Sequence, residues 1–183
     1  MSYISTYLGH RFFPLEPKID QIHIEDIAHG LAYTCRFNGQ TTQFYSVAQH
    51  SLMVCDLVAD DYKFAALLHD AAEAYLGDMV KPLKRLLPEF AEIEHRVSAI
   101  IAEAFNIPES DYSAIKQADL IALATEKRDL MPNSTEAWLD LTGYEPLPEP
   151  IIPLPPLEAK QAFLTAFTRL SGQTTSKPAS YGV

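Results

Sequence analysis

The sequence predicts an all-α protein: a single compact helical domain of about six or seven helices, with an irregular N-terminal arm and a proline-rich connector before a C-terminal helix. Three observations carry this. Apolar residues recur at helical spacing along most of the chain, recognisable caps open the periodic stretches, and no run alternates like a half-buried strand. With 183 residues, 48% of them hydrophobic and 21% charged, the chain can bury one core and is too apolar to stay disordered. No internal repeat is present.

Residues 1–23 scatter Tyr7, Phe12, Phe13, Pro14 and Pro17 without a helical period and read as an extended arm packed on the body. Ile24, Ile27, Ala28, Leu31, Ala32 and Cys35 share one helical face, and Asn38-Gly39 should stop that helix. Ser46 and Gln49 have the capping-box spacing and open a second helix through Val58, with His50 in its first turns. Asp60-Asp61 can cap a third, running through Leu67, Ala72 and Tyr75 to Gly77. A short helix over Leu83–Leu87 and a longer one opened by Pro88 follow, the latter with Phe90, Ile93, Val97, Ile100, Ile101 and Ala104 on its apolar side and Pro108 at its end. Asp111 or Ser113 can cap the next helix, Ala114 to about Leu130, closed by Met131-Pro132. Residues 145–156 hold six prolines and should be extended; Leu157–Leu170 is a last amphipathic helix packing through Ala162, Phe163, Ala166 and Phe167. Residues 1–170 then form one domain, and 171–183 a loose tail.

Composition narrows the function. A formal net charge of -10 excludes a nucleic-acid polymer as partner, because that recognition needs Lys and Arg against phosphates. A small anion stays open if a local cation or metal reverses the field inside one cleft. Charges interrupt every apolar run, so no membrane span is expected. The two cysteines, Cys35 and Cys55, lie in apolar stretches, and no apolar leader with a basic start precedes the domain; a cytoplasmic location is expected.

The chemistry concentrates in one stretch. His69 and Asp70 are adjacent, with Glu73 on the following turn, in an alanine-rich segment that reads as helix. A neutral imidazole and a carboxylate suit a divalent transition metal, and a nearby carboxylate outside the ligand set can move a proton. Two ligands are too few for a tight site. His50, on the second helix, and Asp119, on the apolar stretch Ile115–Ala124 where a bare carboxylate is costly to bury, are the candidates that complete it. The competing reading is a set of hydrogen-bonded structural residues, as most single buried histidines are.

The order of these residues resembles the HD-domain metal-dependent phosphohydrolases: one His, an adjacent His-Asp pair, then a distant Asp. Here they stand in "SVAQHS" (His50), "ALLHDAAEAYLGD" (His69, Asp70) and "IKQADLIALATE" (Asp119). Within that superfamily the chain is similar to the small bacterial and phage 5'-deoxynucleotidase-like group, through His69, Asp70, Glu73, Gly77, Asp78, Pro82 and Lys84. The resemblance implies one divalent transition metal (Co, Mn, Fe, Ni or Zn) on His50, His69, Asp70 and Asp119. It implies Glu73 as general acid or base, with Asp78 a second catalytic-site carboxylate that accepts a hydrogen bond from a deoxyribose hydroxyl or merely caps the turn after Gly77. It also implies a phosphate and nucleoside contact from an Arg-aromatic pair, which is Arg36-Phe37 here. The chain has Gln49 where that group commonly has Glu before the first histidine.

The expected activity is therefore a metal-dependent phosphoric ester hydrolase acting on (deoxy)nucleotides, releasing phosphate from deoxynucleoside monophosphates. The metal would polarise a phosphoryl oxygen and acidify water. Lys81, Lys84 and Arg85 form a cationic patch near it, of which Lys81 and Lys84 are taken as substrate contacts. The alternative within enzymes is a deoxynucleoside triphosphate triphosphohydrolase; of another class, a catalytically silent metal- or nucleotide-binding regulatory protein. Sequence does not fix the oligomeric state, and members of the resembled group often form homodimers. His10, His23, His29 and His95 lie outside the pattern.

Overall fold

The structure, a computed structural model, describes residues 2–107, 112–132 and 138–174. It is all-α apart from one minute hairpin. β1 (Ile4–Ser5) pairs antiparallel with β2 (Arg11–Phe12) across a turn in which Gly9 takes a left-handed φ of 81°. Two-residue strands are too short to leave an alternating signal, which is why the arm read as irregular. It packs on the body: Phe12 is fully buried and stacks on Tyr75 at 4.0 Å.

α1 (Ile24–Tyr33) buries Ile27, Ala28, Leu31 and Ala32 as the spacing predicts, but ends before Cys35. Thr34 is extended, Cys35 bridges Ser46, and Arg36–Gly39 form a 3-10 turn in which Phe37 and Asn38 are left-handed (φ 54° and 52°). A non-glycine residue there costs about 1–2 kcal/mol. α2 (Val47–Leu57) follows, with the backbone N–H of Gln49 donating to Ser46 Oγ at 3.2 Å. Only this half of the expected box forms. The Gln49 amide instead donates to Ile152 O and accepts from Leu154 N–H, both at 2.8 Å, clamping the proline-rich connector onto α2.

The expected third helix is broken. A 3-10 turn (Asp60–Tyr62), in which Asp60 pairs with Lys63 at 2.7 Å instead of capping, leads into α3 (Lys63–Leu67). Leu68–Ala72 are an irregular turn, and α4 (Glu73–Leu76) resumes up to Gly77. α5 (Lys81–Lys84) starts earlier than the Leu83–Leu87 reading, with Pro82 in its first turn. α6 (Pro88–Ala104) opens on Pro88 as expected. α7 (Tyr112–Leu130) already includes Ser113, which therefore is not its cap; Pro108 and Asp111 lie outside the described residues. After a 3-10 turn at Leu139–Leu141 and the extended proline-rich run comes α8 (Pro156–Thr174). α8 passes the expected stop at Leu170, so 171–174 are helix, and the rest of the expected tail lies outside the described residues.

The core lies among α1, α2, α3, α4 and α8, with Leu31, Val54, Leu67 and Phe163 at its centre. α1 and α4 meet at backbone contact, since a Cβ on Gly30 would sit 2.7 Å from Ala74 O. α7 packs on α2, facing His50 towards Asp119. Among the described residues no helix is long and apolar enough to cross a membrane.

Candidate metal centre

Three elements converge on one buried point. α2 contributes His50, the turn between α3 and α4 contributes His69 and Asp70, and α7 contributes Asp119. Successive residues of a regular helix point about 100° apart. The turn at 68–72 is tightened, its N–H groups bonding three residues back rather than four, and within it Asp70 Oδ2 lies 3.1 Å from His69 Nε2. The same oxygen is 3.5 Å from His50 Nε2, and Asp119 Oδ1 is 3.4 Å from it on the other side. His50, His69 and Asp119 each bring a ligand atom within 4.8 Å of the others.

The second nitrogen of each ring is already committed. His69 Nδ1–H donates to Ala66 O at 2.8 Å; a carbonyl only accepts, so the proton of the neutral ring is on Nδ1 and the Nε2 lone pair faces the centre. His50 Nδ1–H donates to Glu126 Oε1 at 2.7 Å, which turns its Nε2 towards the centre as well. Both Nε2 atoms are buried and make no hydrogen bond. Two orphaned imidazole nitrogens with a carboxylate oxygen are a donor set a borderline divalent metal takes, so His50, His69 and Asp119 could hold one, with Asp70 Oδ2 beside both rings.

Glu126 is the residue sequence reasoning missed. It is fully buried on α7, accepts from His50 through Oε1, and takes Arg36 NH2 on Oε2 at 2.9 Å. A signal existed: seven residues, about two turns, separate it from Asp119, which puts both carboxylates on one stripe of the helix. Burial alone would push the Glu126 carboxyl up, yet Arg36 and His50 outweigh it and hold it below its ordinary value. His50 follows the converse balance: burial and Arg36 press it down, while Glu126 and Asp119 raise it to about 9. Asp70 and Asp119 are held low despite burial, the first by His69, His50 and Arg36, the second by His50, His69 and Lys116.

Arg36 is itself buried, pointed inwards by the strained turn, with NH1 3.8 Å from Asp70 Oδ2. Its guanidinium thus lies beside the metal ligands, as a partner of Glu126. The Phe37 ring packs against that guanidinium, its centre 5.3 Å from Arg36 Cζ, and lies 5.9 Å from the ring of Trp138. A cleft of about 240 Å³ opens against His69, Asp70 and Glu73, and Lys84 is the one expected substrate contact that lines it. Lys84 Nζ donates to Glu94 Oε1 at 2.7 Å, and Lys81 and Arg85 both pair with Asp140, at 2.7 and 3.2 Å.

Glu73 is buried, with Oε2 free of hydrogen bonds. Its carboxyl is pushed well above its ordinary value by burial first, then by the charges of Asp70 and Asp78. Asp78 is raised too, by burial and by Asp70, although Arg36 opposes the shift.

With this geometry in place, comparison with known proteins adds the lineage. The uncharacterized protein YfdR of Escherichia coli K12 is 43% identical over 173 residues, covering 93% of this chain and 97% of that protein. The chain belongs to the YfdR family. An uncharacterized protein of Rhodobacter capsulatus is 38% identical over 174 residues, covering 85% of this chain and 88% of its own. No family model matches the chain. For this member of the YfdR family, then, the case for chemistry rests on the arrangement of its own side chains.

Proposed function

We propose that the chain is a metal-dependent phosphohydrolase of the HD type that releases phosphate from (deoxy)nucleoside monophosphates. The observation that carries this is the pair of buried Nε2 atoms, on His50 and His69, that make no hydrogen bond and face Asp70 and Asp119, with His69 and Asp70 also lining a cleft that contains Glu73. A divalent metal held by those four residues supplies Lewis-acid polarisation of a phosphoryl oxygen and acidification of water.

The residues of the chain do the rest. Glu73, buried, lining the cleft and with Oε2 free of hydrogen bonds, can deliver a proton to the leaving oxygen as the P–O ester bond breaks. Water supplies the oxygen of the new P–O bond, and its proton restores Glu73. Asp78, close enough to raise Glu73, keeps that proton in place. Arg36 presents NH1 next to Asp70 and can meet a phosphoryl oxygen there, although its NH2 is already engaged by Glu126.

Charge favours one phosphate over three. Lys84 is paired with Glu94, Lys81 and Arg85 with Asp140, Lys116 with Asp119, and Arg36 with Glu126. A triphosphate would bring further charge to a cleft whose cations are already neutralised. The test is the purified protein loaded in turn with Mn, Co, Ni, Fe and Zn and given deoxynucleoside mono-, di- and triphosphates. Phosphate release from monophosphates, with kcat/KM well above any triphosphate release, is expected. Triphosphate release from dNTPs alone would replace the reading by the triphosphohydrolase, and metal binding without turnover by the regulatory protein.

A further inference from the structure

Four residues of α6 line the cleft opposite the metal ligands: Ala91, Glu94, His95 and Ser98. Their spacing is i, i+3, i+4 and i+7, one clean stripe of a helix. The adjoining stripe, about a quarter turn round the helix, carries Val97 and Ile101 into the core, so α6 is fixed in rotation and presents the first stripe to the cleft. A surface stripe would face only solvent; this one, although Ala91 and His95 are themselves exposed, faces His69, Asp70 and Glu73 across a half-open cleft.

We infer that this stripe is the wall that receives the organic part of the substrate, a hydroxyl-bearing group about the size of one sugar, and that no base enters the cleft. The inference rests on the phosphohydrolase reading and names its substrate class. The cleft, at about 240 Å³, falls below the 300 Å³ or so at which drug-sized ligands are accommodated. No Phe, Tyr or Trp among the described residues lines it, and the rings that do are the small imidazoles of His69, a proposed metal ligand, and of His95, on the exposed flank of α6. Its polar groups match hydroxyls. Ser98 can both donate and accept, and the Glu94 carboxylate, with Lys84 on Oε1, retains lone pairs to accept a hydroxyl proton. Ala91 is the small residue that leaves room for the ring.

The experiment uses the metal-loaded protein with 2-deoxyribose 5-phosphate, a pentose phosphate without a base, alongside the deoxynucleoside monophosphates of all four bases. Calorimetry reads binding and phosphate release reads turnover. The expected result is kcat/KM within about threefold across the five compounds. Ala91→Leu, which fills the cleft from an exposed helical position, should raise KM for all five by about tenfold or more while metal content stays unchanged. A loss of a hundredfold or more on removing the base, or an unchanged KM in Ala91→Leu, overturns the inference and leaves the phosphohydrolase standing. Binding of 2-deoxyribose 5-phosphate that Ala91→Leu abolishes, without turnover of any ester, keeps the wall and removes the phosphohydrolase. Neither binding nor turnover removes both.

Discussion

Glu126→Gln takes one negative charge from between Arg36 and His50 while keeping the side chain's shape. In the structure Glu126 is fully buried, with one oxygen on each partner, at 2.9 and 2.7 Å. Gln can still accept from His50 Nδ1–H, but Arg36 is left buried beside an amide. Removing one partner of a buried pair costs about 3–5 kcal/mol, and for a chain of this size each kcal/mol moves Tm by about 2–4 °C, so a fall of roughly 6–20 °C is expected. Because Glu126 orients a ring that faces the metal centre, metal affinity should fall by about 10–100-fold as well. The assays are thermal melting in chelator and competitive cobalt or zinc titration. A structural role alone would move only the melt. The double variant Arg36→Met with Glu126→Leu separates the two roles: an apolar pair should recover much of the stability, since buried ion pairs are replaceable, but none of the metal affinity. Tm within about 2 °C of wild type, or metal affinity restored in the double variant, would refute Glu126 as the positioning residue of His50.

Two further outcomes follow from the site. Glu73→Gln should keep the metal and lose turnover by about a hundredfold or more, as loss of general acid help requires; metal loss measured by atomic absorption would make Glu73 a ligand or its support instead. The metal-free protein should lose stability as pH rises. His50 is raised from 6.5 to about 9 in the fold, so its contribution is complete below 6.5 and is lost between 6.5 and 9, up to roughly 3 kcal/mol. Metal uptake displaces that proton, and apparent affinity should climb through the same window; a chelator-treated Tm that is flat or rising from pH 6.5 to 9 would contradict the assignment.

The helices were legible because their signals are local. The Ser46 cap, Pro88 at the start of α6 and the apolar spacing of α1 and α8 each need only a few neighbouring residues to decide them. What was not legible depends on partners far along the chain. The run "KFAALLHDAAEAYL" has high helix propensity throughout, so nothing local announces the break at Leu68–Ala72; it forms where His69 and Asp70 must face one centre shared with α2 and α7. Gln49 fits a capping box locally and is claimed by Ile152 and Leu154, more than a hundred positions on. The four residues of the proposed centre were readable as chemistry types in order, while Glu126, which supports one of them, looked like any glutamate near a helix end.

Arg36 shows why charge is the hardest property to read from sequence. In an acidic chain an arginine before the first histidine looks like a cation held for an anionic ligand. In the fold it is buried between Glu126 and Asp70, and Lys84, Lys116, Lys81 and Arg85 each face a carboxylate as well. Around the cleft the remaining acidic groups, Glu73, Asp70 and Asp78, are close enough to raise one another's or their neighbour's affinity for protons. Such a site repels a phosphate until something of higher charge density sits among the carboxylates. Two imidazole Nε2 atoms turned inwards and without a hydrogen bond, the one on His50 giving up its proton, are what a divalent ion, and no side-chain cation, would use to get there.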